Sequence, residues 1–342
     1  MDGQEIPNLR CKVALPAVAV YSLGGTISAT QMGGSGVEPS LTGEALVEDV
    51  PEIAEVAEVS AESFRQVPGS ELTLDDLIEL SAEIKRRIDE GSKGVVVTQG
   101  TDTIEETAFV LDLLVDTHAP VVVTGAMRNP TLPGAEGPAN LLASVQVAVS
   151  EAVRGVGTVV VLNDEIHAAR FVQKTHTSNP ATFRSPLTGP IGWIAEGNVR
   201  VATRPVRHRH ITLPEETQSR HVALYTVSLG DDGRLLSTIG QSGYEGLVIE
   251  AFGAGHVPSV MAESLGNLAG EMPVVLASRT GGGEVLRNTY GFTGSETDLL
   301  ERGLINAGML DGPKARLFLS LMLRSGAGKQ EVAGAFDRWL GG

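Results

Sequence analysis

Val95-Val-Val-Thr-Gln-Gly-Thr-Asp-Thr103, continuing as Ile104-Glu-Glu-Thr-Ala108, decides the fold. A short β-branched run bounded by glycine reads as a buried strand, and the acidic, Ala- and Leu-rich segment behind it reads as a helix. The turn between them presents Thr101, Asp102 and Thr103 at the carboxyl end of a strand, where open α/β sheets hold their ligands. A second such turn lies near the start. There Val18-Ala-Val-Tyr-Ser-Leu23 runs into Gly24-Gly25-Thr26, and paired glycines let the backbone approach a ligand closely. Two hydroxyls delivered on two strand ends point to a nucleophilic hydrolase.

Outward from these turns, short Val-rich runs alternate with longer helical patterns: Val13–Leu23, Gly94–Thr98, Val121–Thr124, Thr158–Leu162, Val222–Leu229, Gly246–Glu250 and Val274–Ala277. The alternation predicts βαβ units and a mainly parallel sheet, an α/β fold. Between strands, Thr73 to Ile88 places Leu77, Leu80, Ile84 and Ile88 on one face, as a helix covering a sheet does. The pattern breaks between Arg200 and His221, which is polar and Pro-containing. The expected organisation is therefore a larger N-terminal α/β domain over 1–200, a linker over 201–221 and a smaller parallel-sheet α/β domain over 222–342. Gln31 to Ser40, rich in Gly and small polar residues, reads as a mobile lid after Thr26.

The 342 residues suffice for two domains and a substantial core. With 26 basic against 42 acidic side chains, the net charge of -16 opposes binding to a phosphate backbone and favours a small substrate. The lone Cys11 cannot form an internal disulfide and lacks a catalytic context. The apolar stretch before Gly24 has no basic cluster ahead of it and no cleavage site, so it reads as strand and not signal. No segment approaches the roughly 18 uninterrupted apolar residues of a spanning helix. A soluble, cytoplasmic protein is expected.

Each candidate also has a plainer reading. Thr103 with Glu106, and Asp102 with Glu105, fit capping boxes, so this turn could simply satisfy helix-terminal amides. Gly24-Gly25-Thr26 also suits a phosphate cradle, but Gly-Gly-Thr-Ile-Ser-Ala lacks the third glycine of a dinucleotide fingerprint, and Gly253-Ala-Gly255 fails likewise. Lys174, in a polar segment beyond the strand at Thr158–Leu162, is either a solvated charge or, if buried beside Thr101 and Asp102, a proton acceptor. Arg207-His208-Arg209-His210 lacks ligands to complete a metal set and reads as solvated linker. Glu284 follows Gly281-Gly-Gly283 at another strand end, in a loop suited to serving a neighbouring subunit.

Taken together, the motifs resemble the bacterial-type L-asparaginases and their asparaginase–glutaminase relatives across nearly the whole chain. Gly24-Gly25-Thr26-Ile27 is similar to the first family signature and Thr98 to Ala108 to the second. Gly69-Ser70-Glu71, Val123 to Arg128, Gly137 to Leu141, Val161 to Asp164, Lys174 to Thr177 and Tyr290 to Phe292 follow in the family's order. The resemblance implies hydrolysis of L-asparagine without metal or organic cofactor, in a homotetramer built from two intimate dimers. Thr26 would be the nucleophile, and Thr101, Asp102 and Lys174 would move protons and activate water. Gly69 and Ser70 would bind the substrate α-carboxylate, Asp102 and Glu71 its α-ammonium. Ala126 would give a backbone contact to the reacting amide, and Glu284 would be donated across the dimer.

Three departures from the family pattern stand out. No tyrosine occurs between Ser28 and Thr42, where one assists the primary threonine in well-known members; Ser40 is the nearest hydroxyl, and Tyr290, Tyr244 or a water are the substitutes. Gln99 replaces a common histidine, at a position expected to matter little because it precedes the reactive turn. Ala254 stands where an asparagine often contributes from the partner subunit, and with Glu71 it disfavours glutamine as substrate. The alternatives are a glutaminase-asparaginase of broader specificity, an amidotransferase subunit, which would normally carry a further domain, and a binding protein for acidic amino acids.

Overall fold

Alternating faces of the Val-rich strands organise the protein. The computed structural model describes residues 14–31, 37–39, 41–208 and 210–341. In chain order, β1 (Ala17–Ser22), a small ladder of β2 (Ala29–Gln31) with β3 (Val37–Pro39), α1 (Gly43–Glu48), α2 (Ile53–Val56) and β4 (Glu58–Ser63) come first. They are followed by α3 (Leu74–Asp89), β5 (Gly94–Thr98), α4 (Ile104–Leu114), β6 (Val121–Thr124), α5 (Gly137–Ala148) and β7 (Thr158–Leu162). Five short strands close the N-terminal domain: β8 (Glu165–Ala168), β9 (Gln173–Lys174), β10 (Phe183–Arg184), β11 (Gly192–Ala195) and β12 (Asn198–Val201).

The main sheet has the order β12-β11-β8-β7-β6-β5-β1-β4. From β4 to β7 all neighbours are parallel, whereas β8, β11 and β12 are antiparallel additions. Val95 and Val97 of β5 face the side covered by α3 and α4, with Leu77, Leu80, Ile84 and Phe109. Val96 faces the other side, with Leu141 and Val145 of α5. Each such valine is fully buried, and burying one stabilises the fold by about 1.5–3 kcal/mol. The helix expected from Thr73 forms as Leu74–Asp89, and Thr73 and Asp76 close a reciprocal capping box at its start.

The second domain carries the parallel sheet β13-β14-β15-β16, formed by β13 (Val222–Thr226), β14 (Gly246–Ala251), β15 (Val274–Ser278) and β16 (Ile305–Asn306). Its helices are α6 (Arg234–Gln241), α7 (Ser259–Glu271), α8 (Glu296–Glu301), α9 (Gly312–Arg324) and α10 (Lys329–Gly341). The larger mixed sheet and the smaller parallel one fit the expected α/β class. Among the described residues, no helix is long and apolar enough to cross a membrane.

The segment joining the sheets departs from its expected solvation. Residues 202–208 and 210–221 contain no helix or strand, yet Ile211 is buried, and the His208 Nε2 lies 2.8 Å from Asp112 Oδ2 of α4. The His208 ring also stacks on Trp339 of α10 at 4.5 Å. Burial pushes the Asp112 carboxyl up, but its hydrogen bond and charge interaction with His208 outweigh burial and hold it low. The histidine faces inward because a buried carboxylate needs a partner there. Cys11, Arg209, Ser40 and part of the expected lid between Gln31 and Ser40 lie outside the described residues.

Candidate active site

Strand order puts the two glycine-threonine turns side by side. From β1 the chain passes to β4 on one flank, then returns through α3 to β5 on the other flank of β1. The direction of winding therefore reverses between β1 and β5, and such a reversal opens a crevice beyond the carboxyl ends of the strands. Gly24-Gly25-Thr26 leaves β1, Gly100-Thr101-Asp102 leaves β5, and Gly69-Ser70-Glu71 follows β4.

These turns touch through glycine. A Cβ on Gly25 would lie 2.0 Å from the Gly100 amide nitrogen and 2.2 Å from its Cα, so no larger residue fits there. One on Gly100 would lie 3.0 Å from the Gly69 nitrogen, and one on Gly24 would overlap the Val67 carbonyl oxygen at 2.6 Å. Gly24 and Gly25 adopt φ of 98° and 82°, a region other residues enter at a cost. A fourth strand end joins from β6: a Cβ on Gly125 would sit 3.5 Å from Thr101 Cγ2 and 2.5 Å from the Gln99 carbonyl oxygen. Asn140 of α5 fixes that corner by donating to the Gly125 carbonyl at 2.9 Å, which places the buried Ala126 beside the site.

At the second turn the capping-box reading gives way. Thr103 is the N-cap of α4, but its side chain caps no helix amide and donates instead to the Gly69 carbonyl at 3.1 Å. Thr101 Oγ1 and Asp102 Oδ1 both meet Lys174, whose Nζ lies 2.9 Å from the first and 2.6 Å from the second. Glu105 Oε2 accepts the backbone N–H of Lys174 at 2.6 Å. Helix α4 thus spends its first polar side chains on other segments, and Lys174 is gripped at both amine and backbone.

Burial sorts these groups. Thr101 is buried, and the Lys174 side chain is 14% exposed while that of Asp102 is 74% exposed. The lysine is therefore not a solvated surface charge. It arrives by a hairpin whose two loop residues, Asn163 and Asp164, both have positive φ, the type I′ geometry that matches strand twist. Desolvation pushes the Glu105 carboxyl above its usual range, and the charge of Lys314 and the Lys174 N–H partly oppose it.

Gln99, expected to matter little, has its side chain inside the packed turn. It is fully buried, and its Nε2 donates at 3.2 Å both to the Gly100 carbonyl and to Thr103 Oγ1, which in turn donates to Gly69. The amide side chain therefore braces the Gly100 turn from within, and Thr103 ties that turn to the Gly69 turn. An amide just beyond a buried strand is a signal that was present in the sequence, because such a group must find hydrogen-bond partners.

Thr26 opens a short 3-10 turn and is partly exposed, with no side-chain hydrogen bond to another described residue. Gly69 is buried, whereas Ser70 and Glu71 are exposed beside it. Glu284 is exposed in the second domain, and no described contact ties it to Thr26, Ser70 or Lys174 of the same chain. Ala254 accepts the backbone N–H of Leu286 at 3.0 Å, also in that domain. The four tyrosines are placed elsewhere: Tyr21 bonds Glu83, Tyr225 bonds Asp231, Tyr290 packs on His256 and Phe292, and Tyr244 borders a cleft between the domains.

Known proteins share this arrangement of sequence and fold. The family "Asparaginase, N-terminal" matches residues 17–207, and "Glutaminase/Asparaginase C-terminal domain" matches 221–336. The "L-asparaginase" of Bacillus licheniformis is 34% identical over 315 residues, covering 90% of this chain and 95% of the relative. The "L-asparaginase 2" of Bacillus subtilis (strain 168) is 31% identical, covering 96% and 88%. The solved structure of a "Probable Cytoplasmic L-asparaginase from Campylobacter jejuni" superposes with a TM-score of 0.86 at 29% identity, covering 94% of this chain and 99% of that one.

Proposed function

The chain belongs to the asparaginase family, and on that premise we propose that it is an amidohydrolase converting L-asparagine and water to L-aspartate and ammonia through an acyl-enzyme on Thr26. The observation that carries this reading is the contact of Gly25 with Gly100, which sets two threonine turns against each other with the Lys174 amine on the second. Ser70 and the backbone at Gly69 hold the α-carboxylate, and Asp102 and Glu71 hold the α-ammonium. The side-chain amide then lies over Thr26, with the Ala126 backbone beside it.

Attack by Thr26 Oγ1 on the amide carbon gives a tetrahedral oxyanion, for which backbone N–H groups of the two turns are the donors. Removing one such donor typically costs about 10²–10³ in rate. The leaving nitrogen takes up the proton released by Thr26, relayed through bound water, and departs as ammonia, leaving the ester. Water then attacks the ester, giving its proton to the assembly of Lys174, Thr101 and Asp102; a proton returns to the departing Thr26 Oγ1, and aspartate is released with the threonine hydroxyl restored. A threonine hydroxyl needs a base and an orienting group, and the pairs at 2.9 and 2.6 Å supply both for Thr101. With no tyrosine of its own chain tied to Thr26, that hydroxyl gives its proton to a bound water in this scheme.

Ala254 and Glu71 favour asparagine over the longer glutamine. The domain limits 1–200 and 222–342, a homotetramer of intimate dimers with Glu284 reaching a neighbouring site, and a cytoplasmic location complete the proposal. The name of the Campylobacter structure supports that location, although another relative is named as periplasmic, a "Probable L-asparaginase periplasmic" of Haemophilus influenzae. Ammonia release tests the core reading: activity on asparagine exceeds that on glutamine, and Thr26→Ala lowers turnover by about 10³-fold or more. Full activity in Thr26→Ala would remove that residue from the chemistry. Mixing inactive Thr26→Ala and Glu284→Ala chains restores about a quarter of the sites if Glu284 crosses a two-fold interface, and none if it does not.

A further inference from the structure

The strand that carries Lys174 is held from the second domain as well as the first. Lys314, on the first turn of α9, is 1% exposed and donates through Nζ to the Val172 carbonyl at 2.8 Å. The same ammonium meets Asp311 Oδ2 at 2.8 Å, and that oxygen also accepts the Gln173 amide at 3.0 Å. Asp311 Oδ1 meanwhile caps α9 by accepting the Lys314 backbone N–H at 2.9 Å, so the pair is anchored to a helix end. Three consecutive residues are thereby fixed: Val172 by its carbonyl, Gln173 by its side chain, and Lys174 by its N–H on Glu105.

We infer that Lys314 and Asp311 are positioning residues for Lys174, a clamp by which the C-terminal domain holds the strand so that the Lys174 amine meets Thr101 and Asp102. A buried lysine whose charge partner also grips the residue next to the proposed proton acceptor is an unusual use of an ion pair. Ordinary domain adhesion would be served as well by apolar packing, and often better. Because a misplacement of about 1 Å can cost about 10²-fold in rate, rigid backbone support at residues 172–174 bears directly on turnover. The inference rests on the catalytic reading of Lys174 given above.

The test compares wild type, Lys314→Met, Lys314→Arg and Gln173→Leu by ammonia release, aspartate binding and thermal melting. Lys314→Met is expected to lower kcat by about tenfold to a hundredfold while KM and the aspartate Kd stay within about twofold, since substrate contacts lie on other strands. Lys314→Arg restores most of the rate. An unchanged kcat, or a parallel loss of kcat and KM quality that Lys314→Arg does not rescue, overturns the clamp and leaves a merely structural pair. If Lys314→Met does not fold, Gln173→Leu decides: a severalfold fall in kcat at constant KM supports the clamp, and wild-type turnover overturns it. Acetic anhydride labelling, mapped by mass spectrometry, reads Lys174 without reference to turnover. Its amine labels severalfold faster in Lys314→Met, or in Gln173→Leu, if the clamp holds, and equal labelling overturns it. Absence of ammonia release by wild type would sink the catalytic reading alone.

Discussion

The two glycine-threonine turns are made of like parts and held in unlike ways. In the turn from Gly100 to Thr103 every polar side chain has an assignment: Thr101 and Asp102 on Lys174, Thr103 on Gly69, and Gln99 behind them on the Gly100 carbonyl and Thr103. In the turn from Gly24 to Thr26 the backbone is shaped by two glycines at positive φ, while the Thr26 hydroxyl is engaged by no described side chain. One hydroxyl is organised in advance by the chain itself. The other is left open, as the proposed reaction requires of an atom that bonds to the substrate and is later released from it.

That contrast is easiest to break at the wired turn. Thr101→Ala and Lys174→Met are each expected to lower kcat by about 10²–10⁴-fold, and the double variant to be no worse than the poorer single one, because the two act as a unit. Ammonia assays giving a double loss equal to the product of the singles would show that the two are independent. Gly25→Ala strikes the contact between the turns. Its methyl cannot stay 2.0 Å from the Gly100 nitrogen, so the turns part, and a loss of about 10²-fold in kcat with a lowered melting temperature is expected. Near-normal turnover in this variant would mean that the contact does not set the reacting geometry.

Gln99→Leu sharpens the comparison more gently. It strands the Gly100 carbonyl and removes the donor to Thr103 Oγ1, for a stability loss of about 1–3 kcal/mol and a fall in kcat near tenfold, with the Thr26 turn untouched. Urea titration beside the assay checks both. The smallest effect is expected far from either turn, at His210, where burial, followed by the charge of Arg207, lowers the imidazole pKa. The unfolded chain then takes up its proton first as pH falls below the ordinary imidazole value of about 6.5, so this contribution to stability is present above that pH and is lost on acidification. His210→Gln should flatten the melting temperature between pH 7 and 5 by at most about one proton's worth and leave kcat alone. A changed kcat would link the domain seam to the chemistry.

The fold was legible where local sequence carries the physics. Gly94–Thr98, Val121–Thr124 and Thr158–Leu162 occur with the expected bounds because buried parallel strands are continuous apolar runs between breakers. The margins of the sheet are less legible: β4, a parallel edge strand, is the polar sequence Glu-Val-Ser-Ala-Glu-Ser, and at the antiparallel edge the β11–β12 hairpin turns through Glu196 and Gly197 without an Asn-Gly or Asp-Gly signal. At the site, the proximity of Lys174 to Thr101 depended on family resemblance, since nothing local joins residues 73 positions apart. The same limit hid the partner of His208, which lies 96 positions away, and made a buried imidazole look like linker. Gln99 is hard to read for a different reason: its place ahead of the reactive turn does not show which buried partners its amide finds.

The stacking of Trp339 on His208 gives the molecule a built-in optical gauge. One tryptophan, Trp193, stands 47% exposed on the outer hairpin, while Trp339 lies at the seam among His208, Phe109 and Phe318. Undocking of the two halves would wet only the second indole, so a red shift in emission under mild denaturant would register their separation ahead of any signal from the rim.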